Sequence, residues 1–211
     1  MAETNVQQDA SNKVFTIPNL ITMLRVVLIP VFTILFLQGH LLAMLIVLAI
    51  SGLSDTVDGK IARRFHMVSN IGKWLDPAAD KLTQITLAVL LFVRFNQSAD
   101  AGMKAFSWVF LLFLGKELLM LLVALLMLLL KKRPAAAEIY GKAATMVFYV
   151  VMTLLFLAGP DVSLFAHYGW PVLPNAVVMA LVVLTLLLTF IAFFSYIPDT
   201  YRKLFNKEKK K

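Results

Sequence analysis

Four aspartates, Asp55, Asp58, Asp76 and Asp80, fall within 26 residues of a chain that is 60% hydrophobic. A carboxylate in apolar surroundings is costly unless a cation or a hydrogen-bond donor holds it. Their placement therefore restricts every arrangement open to this chain. Each residue of an α-helix advances about 100° around the axis. Asp55, Asp58, Gly59, Ala62 and Arg63 then share one stripe, and the apolar Ile61 faces away. Gly72, Asp76 and Asp80 stand at i, i+4 and i+8, which makes a second stripe on a second helix. The polar link 64–70 permits the two helices to pack antiparallel with their carboxylates facing each other. Four carboxylates in one place repel unless something cationic sits among them. Hard divalent cations take oxygen ligands and commonly work with phosphates, and two ions between shared carboxylates match phosphoryl-transfer sites. Gly59 and Gly72 lack a side chain, so a ligand or backbone can come close. Arg63 offers a planar fork of donors suited to phosphate.

The remaining composition is that of an integral membrane protein. Only 15% of the 211 residues are charged and the mean hydropathy is +0.83, values outside the range of soluble domains. There is no cysteine, which excludes disulfides and thiol chemistry. The formal net charge of +8 marks cytosolic loops and contact with anionic lipid rather than nucleic acid.

Six apolar spans are expected, at about 17–37, 41–62, 71–92, 106–130, 139–157 and 176–196. The fold class is thus an all-α membrane bundle of six transmembrane helices with a polar cavity open to the cytosol. Residues 1–13 read as a polar tail without the basic-then-apolar pattern of a signal peptide. Residues 14–198 read as one membrane domain, and 199–211 as a basic tail. Residues 94–104 read as a loop on the far side. Arg94 and Lys104 are the two basic residues expected on that side. Lys116 lies within a span, and the remaining 17 of the 20 Lys and Arg fall on the opposite side. The positive-inside rule then puts both termini and the aspartates in the cytosol of a multi-pass cell-membrane protein. Lys116 and Glu117 stand together in mid-span, where charge is costly, and are expected to face the bundle interior.

The pattern Asp55-x-x-Asp58-Gly59-x-x-Ala62-Arg63, eight residues, then Gly72-x-x-x-Asp76-x-x-x-Asp80 resembles the signature of the CDP-alcohol phosphotransferase family. The resemblance implies transfer of a phosphatidyl group from CDP-diacylglycerol to an acceptor alcohol, with release of CMP. It implies two ions, Mg²⁺ or Mn²⁺, on Asp55, Asp58, Asp76 and Asp80, with Asp80 also the general base. It assigns Gly59, Ala62, Arg63 and Gly72 to the nucleotide lipid, with Ser69 beside them and with Asn19 and Thr22 of the opening helix. The segment Gly141-Lys142-Ala143-Ala144-Thr145 is similar to a family Gly-Lys-x-x-Thr segment, which makes Lys142 and Thr145 acceptor-side candidates. A homodimer is usual in the family.

The opening PNLITMLRVVLIP and the segment GKWLDPAADK most resemble the branch of the family whose acceptor is glycerol 3-phosphate. Three cations outside the nucleotide motif, Arg25, Lys116 and Lys142, suit a doubly charged phosphate. The fourth span departs from that branch, with Lys116-Glu117 in place of Arg-Glu and no arginine following within the span. The alternative is the branch that uses phosphatidylglycerol. A divalent-cation transporter is the remote alternative. Transporters commonly show inverted repeats and broken helices at the midplane, and neither is legible here.

Overall fold

The computed structural model describes the backbone of residues 17–64, 72–130, 139–160 and 163–205. It describes their side chains except at 17–18, 55–64, 73–74, 128, 139–140, 199–200 and 202–205. All regular structure among the described residues is helical. The helices are α1 (Ile17–Leu37), α2 (Leu41–Arg64), α3 (Gly72–Asn96), α4 (Ala101–Phe106), α5 (Val109–Leu129), α6 (Ile139–Ala158), α7 (Leu164–His167) and α8 (Asn175–Phe205). Two compact units are present, Met1–Thr86 and Leu87–Lys211, and the division falls within α3.

In the first unit α1 packs along α2. Three residues join them, and Gly39 holds a backbone φ of +81° that L side chains rarely adopt. The buried stripe of α2 runs Leu41, Met44, Leu48 and Ser51, one residue per turn in helical register. The same register runs on to positions 55, 58 and 62. On α1 the usual pattern is inverted. Asn19, Thr22 and Arg25 are buried, whereas Leu20, Leu24, Val27 and Ile34 are exposed. A helix with its polar residues inward and its leucines outward is solvated by lipid rather than water.

In the second unit Asp100 caps α4, its carboxylate accepting the Met103 N–H at 2.8 Å, and its other oxygen accepts from Asn175 Nδ2 at 3.2 Å. One side chain thus holds the starts of α4 and α8 together. A run of rings, Phe95, Phe110, Phe113 and Phe148, with centroids 5.8, 6.2 and 5.6 Å apart, fills the core between α3, α5 and α6. The helix α6 packs on α8, as does α5.

Among the described residues four stretches are long and apolar enough to cross a membrane: Asn19–Leu37, Ala101–Met127, Gly141–Ala158 and Asn175–Pro198. The stretch Leu41–Ser54 is apolar but shorter. Six spans were expected. In α3 the charges Asp76, Asp80 and Lys81 fall together, so apolarity alone does not qualify that helix, and the side chains of α2 beyond Ser54 lie outside the described residues. Two boundaries also differ. The expected loop 94–104 is divided, with α3 running to Asn96 and α4 starting after the Asp100 cap. The expected tail from 199 is helical as far as Phe205, through Pro198. At about 1.5 Å per residue the 31 residues of α8 extend roughly 46 Å, longer than the roughly 30 Å hydrocarbon core.

The Gly39 turn gives a stability prediction. Gly39→Ala keeps the turn open sterically, since no atom lies within 4 Å of an added Cβ, but forces a left-handed backbone on an L residue. The expected loss is about 1 kcal/mol, read from unfolding of the purified protein in detergent. Unchanged stability would show that the α1–α2 turn does not depend on this conformation.

Candidate active site

The first unit gathers much of the expected site. Asn19, Thr22 and Arg25 lie one turn apart on α1 and are each no more than 3% exposed. From this stripe Arg25 reaches across to α3, where its Nη1 donates to Asp76 Oδ1 at 3.1 Å. The carboxylate of Asp76 is half-exposed and the guanidinium is not. Arg25, expected on the acceptor side, is therefore in contact with an expected metal ligand.

On α3, Gly72, Asp76 and Asp80 follow one another at one-turn intervals, all half-buried. The stripe continues one step further than the sequence motif. Gln84 lies at the next i+4 position, is buried, and donates from Nε2 to Asp80 Oδ2 at 3.1 Å. Its Oε1 accepts from Lys81 Nζ at 3.3 Å. Helical side chains lean toward the N-terminus, so Gln84 lies back over Asp80. Sequence reasoning missed Gln84. Its signal was the continued i+4 spacing, and the amide carries no charge to draw notice in an apolar run.

The first aspartate stripe is positioned by α2, whose backbone carries Asp55, Asp58, Gly59, Ala62 and Arg63. Their side chains, and Ser69 entirely, lie outside the described residues. Among the described residues no three His, Asp or Glu side chains gather to hold a metal ion. Two of the four expected ligands, Asp76 and Asp80, are described. Oxygen donors one turn apart on one helix face are the donor type that hard divalent cations take, so the described half of the set fits such an ion.

The second unit holds the remaining acceptor candidates. Lys116 and Glu117 are buried within α5 and form an ion pair with each other. Lys142 is exposed in the first turn of α6, and Thr145 is half-buried one turn further. The residue before Lys142 is the buried Gly141, where an added Cβ would stand 2.9 Å from Tyr196 Oη. Glycine at 141 therefore lets α8 close on the start of α6.

The family description "CDP-alcohol phosphatidyltransferase" matches residues 15–191. The chain is 34% identical over 177 residues to a protein of Streptomyces coelicolor named "Cardiolipin synthase (CMP-forming)", covering 80% of this chain and 77% of that one. It is 31% identical over 158 residues to the Bacillus subtilis "CDP-diacylglycerol--glycerol-3-phosphate 3-phosphatidyltransferase", covering 68% and 77%. A Pseudomonas fluorescens protein of the same name is 43% identical over 81 residues, covering 37% and 41%. A match over most of the chain, on the residues that carry the aspartate spacing, sets the transporter reading aside: this chain belongs to the CDP-alcohol phosphatidyltransferase family.

Proposed function

We propose that this chain is an enzyme of phospholipid synthesis that transfers the phosphatidyl group of CDP-diacylglycerol to glycerol 3-phosphate, forming phosphatidylglycerophosphate and CMP. The observation that carries the reading is the complete aspartate signature on α2 and α3 within a family match that spans both. The Bacillus and Pseudomonas relatives, named for this reaction, support the acceptor.

The family generally uses divalent metal ions. Asp55, Asp58, Asp76 and Asp80 would hold two, Mg²⁺ or Mn²⁺. Ions bound there supply positive charge to a diphosphate. Asp80 takes the proton of the acceptor hydroxyl as general base. The hydroxyl oxygen bonds to the phosphorus that bears diacylglycerol, the bond from that phosphorus to the CMP oxygen breaks, and CMP leaves with the electron pair. Asn19, Thr22, Gly59, Ala62, Arg63, Ser69 and Gly72 bind the nucleotide lipid, and Arg25, Lys116, Lys142 and Thr145 bind the acceptor. The protein is read as a homodimer whose subunits each carry one membrane domain, 14–198.

Phosphatidylglycerol is the second reading for the acceptor. The Streptomyces relative is named for cardiolipin synthesis. The ion pair of Lys116 with Glu117 also offsets one of the cations that a dianionic acceptor would use, and phosphatidylglycerol carries a single charge. CMP release with CDP-diacylglycerol and each acceptor in turn decides between the two. Turnover with glycerol 3-phosphate is expected, with Lys142→Gln raising its KM far more than that of CDP-diacylglycerol. Turnover with phosphatidylglycerol alone would move the assignment to cardiolipin synthase. In the same assay Asp80→Asn is expected to lose at least about 10³-fold in rate, on the scale of general-base catalysis. Retention of a tenth of wild-type turnover would remove the base role.

The topology proposed is six spans in the cell membrane with both termini and the aspartates in the cytosol, supported by the 17-to-2 division of basic residues. The chain has no cysteine, so introduced ones report cleanly. In right-side-out cells, Ser11→Cys and Asn206→Cys are expected to resist an impermeant thiol reagent, and Gln97→Cys, at an exposed position, to react. Labelling at the termini would invert the topology.

A further inference from the structure

The side chain of Gln84 is only 2% exposed, in an apolar helix where a buried amide is costly unless its polar atoms are satisfied. Both of its terminal atoms are used. Nε2 donates to Asp80 Oδ2 at 3.1 Å and Oε1 accepts from Lys81 Nζ at 3.3 Å. Amide orientation is ordinarily a matter of inference, but here the neighbours dictate it. A flipped amide would set oxygen against carboxylate and N–H against ammonium, two repulsive contacts in place of two favourable ones. Gln84 is therefore locked, and through it one oxygen of Asp80 is held at a defined position.

From this geometry we propose that Gln84 is a positioning residue for the reaction: it fixes the rotation of the Asp80 carboxylate, so that the carboxylate meets metal ion and acceptor hydroxyl in a single orientation. The proposal rests on the reading of Asp80 as ligand and base, and it adds to the family's aspartate motif a residue four positions beyond its end. A carboxylate that turns freely must be ordered each time it binds an ion or takes a proton, and outer partners of metal ligands remove that requirement. Glutamine fits this place because it presents a donor to a carboxylate and an acceptor to an ammonium at once. Glutamate at 84 keeps the acceptor and repels Asp80. Methionine keeps the volume and makes neither bond.

The test uses the full-length protein in lipid nanodiscs, with Gln84→Met and Gln84→Glu beside wild type. Steady-state CMP release gives kcat and KM, and Mn²⁺ binding without substrate is followed by electron paramagnetic resonance. For Gln84→Met, kcat is expected to fall roughly 10- to 100-fold and Mn²⁺ affinity by about tenfold, on the scale of lost outer-partner contacts, with the KM for CDP-diacylglycerol within about twofold. For Gln84→Glu, kcat is expected to fall by at least about tenfold although the volume and the contact to Lys81 are kept. A purely structural role predicts lower thermal stability with wild-type kcat and Mn²⁺ affinity in the folded fraction, and that result overturns the proposal. Should Gln84→Met fail to fold, Gln84→Glu decides alone, and a kcat within twofold of wild type overturns it. A wild-type protein that releases no CMP with either acceptor overturns the functional reading instead, and the Mn²⁺ affinities then decide the role of Gln84. Wild type that binds no Mn²⁺ overturns the proposal as well.

Discussion

Carboxylates placed one turn apart in a lipid-facing protein are the constraint on which the first unit depends. Residues at i and i+4 on a helix have Cβ atoms roughly 5–6 Å apart. At an effective dielectric of about 20, two unit charges at roughly 6 Å repel by about 3 kcal/mol, a sizeable share of the stability of a folded domain. Arg25 opposes this from α1 by its contact with Asp76, and Gln84 opposes it from α3 by its contact with Asp80. The buried polar stripe of α1 follows from the same need. A helix that must deliver a guanidinium to α3 has to turn its polar face inward, and its leucines are left to the lipid.

Among the described residues, two kinds of buried polar side chain stand out. Thr83, Thr185 and Thr189 each donate to a carbonyl three or four residues back on the same helix, and Ser107, just past the end of α4, donates to the Lys104 carbonyl. Such bonds satisfy a hydroxyl locally and need no partner helix. Arg25, Lys116 and Gln84 cannot be satisfied that way and instead meet other side chains. A charge or an amide kept in the interior when a smaller or apolar residue would pack as well asks for a reason beyond packing. For Arg25 and Gln84 that reason lies in the two carboxylates they touch.

Much of this was legible from the chain. The aspartate spacing stood out because each charge interrupts an apolar run, and the helix start at 41 agrees with the expected span. Other features were not legible, for physical reasons. Asp100 caps α4 and meets Asn175 at the start of α8, but a single aspartate among QSADAG reads as loop. Pro198 reads as a stop, yet a proline removes only one helical bond and bends a helix as readily as it ends one. That Arg25 meets Asp76, 51 positions away, follows from how α1 and α3 pack, which no local pattern encodes. The roles expected for Asn19 and Thr22 came from the resemblance to the family and not from their spacing; both side chains are buried.

The three cations proposed for the acceptor differ in their surroundings. A phosphate dianion is held by positive charge that is not already offset nearby. Arg25 stands against Asp76 and Lys116 against Glu117, so each brings its charge together with a carboxylate. Lys142 differs, since its side chain is exposed at the start of α6. The local charge at Arg25 depends on what else holds Asp76, because a divalent ion on that carboxylate would take over part of the neutralisation the guanidinium now provides. The charge at Lys116 has no such dependence, since Glu117 is its immediate neighbour in sequence. On the proposed acceptor reading, Lys142 is therefore the one of the three whose neutralisation would bear most directly on acceptor charge. A dianionic acceptor loses more from that change than a singly charged phosphodiester does.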